Sequence, residues 1–179
     1  MPAEPVAEAA AVTASAGPPG VALRAISLPT ARALLRGERV DPGPVGWHPD
    51  YPLADTVTGL RLLIDAHRAA GWPGDPRPVW WLYQVVAGGE VAGGEVVGDI
   101  GFHGPPDADG TVEIGYALVR PAWGRGIATA ACRELLGIAW RAGATRVVAD
   151  AAADNPASRR VLVKAGFRSG GAETFAIER

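Results

Sequence analysis

The chain has 179 residues, enough for one domain with a full hydrophobic core. Its 48% hydrophobic and 20% charged residues are an ordinary globular balance, and a net charge of −2 without any basic block argues against nucleic acid as a partner. A single Cys leaves no internal disulfide and points to a reducing cytoplasm, and no apolar run is long enough to span a bilayer.

Residues 1–20, MPAEPVAEAAAVTASAGPPG, carry Glu4 and Glu8, no Lys or Arg, and no large apolar cluster. They read as a disordered tail rather than a secretion signal, ahead of one domain over residues 21–179. Val21 to Ile26 reads as a short first strand. Ser27 is placed to cap a helix through Arg36, with Pro29 in its first turn and Gly37 at its end. The next stretch, DPGPVGWHPDYPLA, reads as a loop dense in breakers. Asp55 is placed to cap a second helix with an apolar stripe of Leu60, Leu63 and Ile64, ended by Gly71.

Val79 to Ala87 reads as a strand with two Trp and a Tyr. The pentapeptide Val86-Ala87-Gly88-Gly89-Glu90 then repeats as Val91-Ala92-Gly93-Gly94-Glu95, too short for a solenoid and best read as an enlarged hairpin loop. Glu95 to Phe102 is the returning strand, and Gly104 to Gly110 a turn. In the strand that follows, Val112, Ile114, Tyr116 and Leu118 share one face, and Glu113, Gly115, Ala117 and Val119 the other. Pro121 ends it. After Trp123-Gly124-Arg125-Gly126, apolar residues recur at helical spacing from Ile127 through Ala131, Leu135 and Ile138. Thr145 to Ala151 is a further β-rich run, and Asp154-Asn155-Pro156 starts a last helix that ends near Gly166. The tail, FRSGGAETFAIER, permits one strand or a compact hairpin.

The Gly-rich turn before the long helix is the main chemical signal. Small residues let a ligand approach the backbone, and a helix start offers unpaired N–H groups with partial positive charge. Such a turn cradles a phosphate or pyrophosphate, or is a tight connection with no ligand at all. No Lys is present for a Walker loop, and Thr129 stands where a dinucleotide fingerprint needs its third Gly.

The run from Gly98 to Phe167 closely resembles the GNAT superfamily of acyl-CoA-dependent N-acetyltransferases, most nearly the branch with ribosomal-protein N-terminal acetyltransferases. The pyrophosphate motif of that family begins with Gln or Arg and has Gly at its fourth position and Gly or Ala at its sixth. It falls on Trp123 to Ala128: Gly126 and Ala128 match, and Trp123 departs from Gln or Arg. A second family motif is supplied by Asn155, Ser158, Gly166 and Phe167.

The resemblance implies an α/β fold, a mixed and mostly antiparallel twisted sheet with helices on both faces. It implies acetyl-CoA as co-substrate and direct acetyl transfer to a primary amine in a ternary complex. The pyrophosphate would lie over Gly124, Arg125, Gly126, Ile127, Ala128 and Thr129, with the pantetheine arm paired to Leu118, Val119 and Arg120 like an added strand. Asn155 would contact CoA or substrate besides capping its helix.

An amine with a pKa of about 8 to 10.4 needs a proton acceptor at neutral pH, and Glu113 is the candidate. A Glu near 4.3 serves only with a raised pKa or through a water relay, and its other reading is a cleft-edge carboxylate paired with Arg. His103 comes near Glu113 if residues 99–103 pair with 112–116. Many members of the family place a Tyr seven residues after the motif Asn to protonate the departing thiolate. Here that position is Leu162, and Ser158 is the nearest substitute; its other reading is a solvent-facing helix serine. Trp47, His48 and Tyr51 line the acceptor pocket or anchor the Pro-rich loop to the core. Cys132 reads as a buried inert thiol, and the three His show no metal-ligand spacing. The acceptor is an amine-bearing small molecule (antibiotic, polyamine or amino acid) or a protein N-terminus, in a monomer or a homodimer. The reading from another class is a non-catalytic acyl-CoA-binding module.

Overall fold

Runs rich in Val, Ile and aromatic residues fall between Gly/Pro breakers, and each finds its partner across a turn or a helix. The computed structural model describes residues 20–40, 45–69, 79–88 and 94–179. In chain order these form β1 (Val21–Ala25), α1 (Leu28–Leu35), β2 (Gly46–Trp47), α2 (Ala54–Ala69), β3 (Leu82–Ala87) and β4 (Glu95–Phe102). They continue with β5 (Thr111–Leu118), α3 (Ile127–Arg141), β6 (Arg146–Asp150), α4 (Pro156–Ala165), β7 (Arg168–Ser169) and β8 (Thr174–Glu178). The sheet order is β1-β3-β4-β5-β6-β8-β7, with β2 alongside β4. Among the described residues only the β2–β4 and β5–β6 ladders are parallel.

Register assigns the faces. Asp99 lies beside Ala117 on one face, and Ile100 beside Tyr116 on the other. Thr56 of α2 hydrogen-bonds Asp99, whereas Ser158 of α4 hydrogen-bonds Tyr116. Thus α2 covers the first face, and α4, packed against α3, covers the second. This is the mixed, mostly antiparallel sheet with helices on both faces that the sequence led us to expect. One hydrophobic core takes in Val85, Ile100, Leu135, Val147, Leu162 and Phe175, each at most 2% exposed.

Local chemistry explains the element ends. Ser27 Oγ accepts the Thr30 N–H at 3.1 Å, and Asn155 Oδ1 accepts the Ser158 N–H at 3.0 Å, both as helix caps. Four details differ from the expectation or resolve it. The third strand starts at Leu82 rather than Val79, because the Trp81 N–H donates to the Val79 carbonyl and closes a turn. The breaker-rich loop contributes β2, since Gly46 and His48 donate to the carbonyls of Gly94 and Val96. Helix α2 begins at Ala54, so Asp55 sits in its first turn and its charge, not a cap bond, meets the helix's positive end. The short tail forms both strands of a hairpin, β7 and β8, with β8 pairing β6. The proposed tail over residues 1–20 (all but Gly20), the end of the second helix at Gly71 and the tip of the repeat hairpin lie outside the described residues.

The junction of α2 with the sheet is polar. Asp99 is 5% exposed and accepts a hydrogen bond from Thr56 Oγ1, which itself accepts the Leu53 N–H at 3.2 Å. Burial lifts the Asp99 carboxyl from its ordinary 3.8 to about 7; the Thr56 bond opposes the rise and nearby Asp55 adds to it. The folded protein therefore holds a proton that the unfolded chain releases between about pH 4 and 7. By linkage, this group's contribution to stability is full below the unfolded value and is lost as pH rises through the folded one. We predict that Asp99→Asn removes this fall. Denaturant unfolding across that window should give a parent whose stability drops by on the order of a few kcal/mol relative to the variant. Parallel stability curves for the two proteins would contradict the buried, protonated Asp99.

Candidate active site

The site begins where a ladder stops. Strands β5 and β6 are paired only from Thr111↔Arg146 to Glu113↔Val148, yet β5 runs on to Leu118. The His103 N–H donates to the Glu113 carbonyl at 2.9 Å and the Val119 N–H to the Val97 carbonyl at 2.8 Å, so odd-numbered β5 residues turn their backbone groups toward β4. By alternation, the backbone groups of Tyr116 and Leu118 turn toward β6, beyond the last β5–β6 pair. The Leu118 carbonyl accepts the Trp123 indole N–H at 2.8 Å. A bulky residue at Gly98 is excluded here, since an added Cβ would meet Leu118 Cα at 2.9 Å and the Ala117 carbonyl oxygen closer still.

The divergence opens a cleft of about 620 Å³. One wall is Tyr116, Ala117 and Leu118 of β5, and a second is the face of α4 carrying Asn155, Ser158 and Val161. The start of α3 closes one end, and Leu53, Ala54 and Asp55 at the head of α2 stand at the other side.

At the α3 end, Gly124 and Gly126 have φ of 72° and 80°, a backbone region that suits Gly. A Cβ added at either position would meet nothing within 4 Å, so the cradle is open. Gly126 is the N-cap of α3, and among the described residues no side-chain cap bond closes that helix start. Ile127, Ala128 and Thr129 follow along the cleft lining. Open backbone donors at a helix start suit an anion. A neighbouring recess of about 520 Å³ brings Arg125, Arg133 and Lys164 around the same turn. Arg133 Nη2 donates to the Lys164 carbonyl at 2.6 Å and ties α3 to α4. Thus residues 124–129 are brought together, with Arg125 exposed beside them, and Arg120 lies outside the strand, stacked 5.9 Å from the Trp123 ring.

Ser158 lines the cleft, and its hydroxyl is 2.7 Å from the Tyr116 hydroxyl. Sequence periodicity marks Tyr116 only as a member of the apolar face; the contact across the cleft comes from the packing of α4 on β5. Glu113 lies at the mouth of the β5–β6 split, on the opposite face from Tyr116, with its carboxylate 3.0 Å from His103 Nδ1. The hairpin pairing places these two groups together, and the partner of Glu113 is His103 rather than an Arg. Arg133 sits two turns into the helix, beyond the Gly-rich motif, where the sequence carries no signal for its place beside that turn.

Trp47, His48 and Tyr51 form a different group. The Trp47 and Tyr51 rings stack with centroids 5.7 Å apart, and the Trp47 indole donates to the Val40 carbonyl at 3.1 Å. His48 Nδ1 accepts the Asp50 N–H, Arg39 Nη2 bonds the Tyr51 carbonyl, and Tyr51 is 1% exposed, which pushes its phenol pKa up. These contacts fasten the breaker-rich loop; among the described residues the cleft lining is instead Leu53 to Asp55. Cys132 is buried, its thiol pushed up to about 12. Among the described residues no cluster of His, Cys, Asp and Glu suits a metal ion, and no helix is long and apolar enough to cross a membrane.

A family model for the acetyltransferase (GNAT) domain matches residues 30–168. The chain belongs to the GNAT acetyltransferase family. Within it, the chain is 35% identical over 78 residues to the uncharacterized N-acetyltransferase YoaA of Bacillus subtilis (strain 168), 43% of this chain and 44% of that protein. It is 36% identical over 74 residues to YjdG of the same organism, 41% of this chain and 44% of that protein. The match thus spans less than half the length of these curated relatives. Among GNAT structures, RimL, a ribosomal-protein alpha-N acetyltransferase solved with coenzyme A, superposes with a TM-score of 0.60 at 19% identity, covering 89% of this chain and 94% of that one. The microcin self-immunity acetyltransferase MccE, solved with acetyl-CoA and AMP, gives 0.59 at 16% identity over 89% and 93% of the two chains. At these identities the likeness is one of fold.

Proposed function

We propose that this GNAT chain moves an acetyl group from acetyl-CoA to a primary amine by direct attack in a ternary complex. The observation that carries the reading is the uncapped start of α3, with Gly124 and Gly126 open to the cleft where β5 and β6 part. A diphosphate fits those backbone donors, with Arg125, Arg133 and Lys164 at hand for further phosphate charge. The pantetheine arm would then lie along Leu118, Val119 and Arg120 as an added strand, in the space that β6 leaves, with Asn155 at its side. For the arm to bond the Leu118 carbonyl, the Trp123 indole must share or yield that acceptor.

The acceptor amine enters from the α2 side, where Asp55 supplies a carboxylate on the cleft wall. Trp47, His48 and Tyr51 act on the acceptor by holding that wall in place. Glu113, at the mouth of the split and bonded to His103, takes the amine proton directly or through water. The Leu118 N–H, turned into the cleft, is placed to stabilise a developing oxyanion. Ser158 faces the departing sulfur. A protein N-terminus is the acceptor we favour, in keeping with the alpha-N activity in the name of RimL; a small-molecule amine is the second class. A single buried thiol suits a reducing, cytoplasmic setting.

Two measurements test this reading. Gly126→Glu puts a side chain and a negative charge where the diphosphate should lie, at a backbone conformation that suits Gly. Calorimetry should show acetyl-CoA affinity reduced at least about tenfold, equivalent to about 1.4 kcal/mol; unchanged affinity in a folded variant would remove the cradle from the site. Glu113→Gln keeps shape but accepts no proton. Its turnover should fall on the order of 10²-fold or more at neutral pH and recover as pH rises and the substrate amine loses its proton unaided. Parent-like turnover across the pH range would falsify the base role.

A further inference from the structure

The Tyr116 side chain reaches across the cleft from β5 to α4. Its hydroxyl oxygen is 2.7 Å from Ser158 Oγ and 3.3 Å from the Ser158 carbonyl. The side chain is partly buried, and both residues line the cleft. A tyrosine on a core-facing strand position needs only its ring for packing. Here the hydroxyl instead meets Ser158, a polar side chain that α4 turns into the cleft beside the proposed path of the thiol. We infer that Tyr116 is a positioning residue that orients the Ser158 hydroxyl so that its proton points at the departing sulfur. This rests on the acyl-transfer reading above.

Relative acidity gives the bond its direction. The geometry admits either hydroxyl as donor, but phenol is the stronger acid of the pair and the hydroxyl contact is shorter than the 3.3 Å bond from Tyr116 to the Ser158 carbonyl, so we take Tyr116 to donate and Ser158 Oγ to accept. The serine proton is then left for a second acceptor. An anionic sulfur passing this face of α4 is a charged acceptor, and a donor already polarised by its neighbour binds it better. Burial pushes the Tyr116 phenol up to about 12, so it stays protonated while a thiol near 8.5 ionises. No proton need pass along the chain. The new C–N bond forms and the C–S bond breaks with its electron pair on sulfur. The nitrogen gives its proton to Glu113 or water, and the sulfur leaves as a thiolate that is hydrogen-bonded rather than protonated. Tyr116 thus supplies through Ser158 part of what a directly placed tyrosine would supply, at a position where α4 has Leu162 instead.

Other charges bear on the sulfur as well. Asp55, Arg160 and Lys164 line the same cleft, and Cys132 of α3 faces Tyr116 from behind. The Cys132 thiol is itself pushed up to about 12 and stays neutral over the useful range. All four are common to the parent and the variants below, so they set the baseline and cancel in the differences.

The test is the pKa of the CoA thiol in the binary complex, read from the ultraviolet absorbance of the thiolate. It does not depend on turnover, and a merely structural Tyr116 would leave it unmoved. Ser158→Ala should raise that pKa by about one unit or more, the size of a lost hydrogen bond to a charged group. Tyr116→Phe should raise it by roughly half a unit, and the double variant should titrate like Ser158→Ala alone. Replacing all three tyrosines by ring-fluorinated tyrosine keeps every donor, acidifies it, and should lower the thiol pKa. That measurement stands if Tyr116→Phe folds poorly. A Tyr116→Phe complex that titrates with the parent overturns the inference, whether or not Ser158→Ala is shifted, as does a fluorinated protein with no shift. A parent protein that fails to bind CoA overturns the acyl-CoA reading, and the inference falls with it.

Discussion

The rest of the structure depends on the early end of one parallel ladder. Strands β5 and β6 share three residue pairs and then separate while both continue. An interior strand with no neighbour would ordinarily leave backbone donors and acceptors unmet, at a cost of about 1–3 kcal/mol for each that is truly buried. This fold tolerates the gap by leaving it open to solvent as a cleft, and by meeting one carbonyl, that of Leu118, with the Trp123 indole. A ligand with amides along an extended arm is a natural occupant of such a space. The Gly-rich start of α3 and the hydroxyl pair Tyr116–Ser158 border that opening, and Glu113 occupies the last paired position before it.

The two faces of the sheet contribute differently. On the α3–α4 side the contacts are largely apolar, with Tyr116 and its register neighbour Tyr83 carrying hydroxyls that bond Ser158 and the Val79 carbonyl. On the α2 side a buried carboxyl, Asp99, is held by Thr56, and its register neighbour Gln84 accepts a hydrogen bond from the Arg24 guanidinium at 3.0 Å. Such bonds add direction to packing, because a buried polar group is stable only in the register that satisfies it. Asp99 pairs in register with Ala117, so the bond that seats α2 lies directly behind the cleft wall. The head of α2, with Leu53 to Asp55, is in this way fixed relative to β5.

Much of this was legible in the sequence, and the reasons are specific. The helix over 127–141 announced itself by its spacing, α1 and α4 by Ser27 and Asn155 with prolines after them, and the cradle by Gly124 and Gly126. Glu113 and His103 follow from the pairing of two adjacent strands, which the turn between them dictates. What stayed hidden depended on contacts between elements distant in sequence. Arg133 reaches the cradle because α3 and α4 pack. Trp47 and Tyr51 stack on one another rather than face the cleft, which their composition could not decide. Tyr116 has a partner 42 residues away, and a periodic apolar face carries no sign of it. The β2 pairing rests on two loop hydrogen bonds to β4 with no run of strand-forming residues behind them.

The central claim is transfer, as distinct from binding. It is tested most directly by following thiol release from acetyl-CoA in the presence of a panel of amines: peptides with free N-termini, polyamines, amino acids and aminoglycosides. The account predicts thiol appearing in step with an N-acetylated product, dependent on the amine and fastest with one class of it. Tight binding of acetyl-CoA with no amine in the panel raising thiol release above spontaneous hydrolysis would contradict it, and would make the protein an acyl-CoA-binding module.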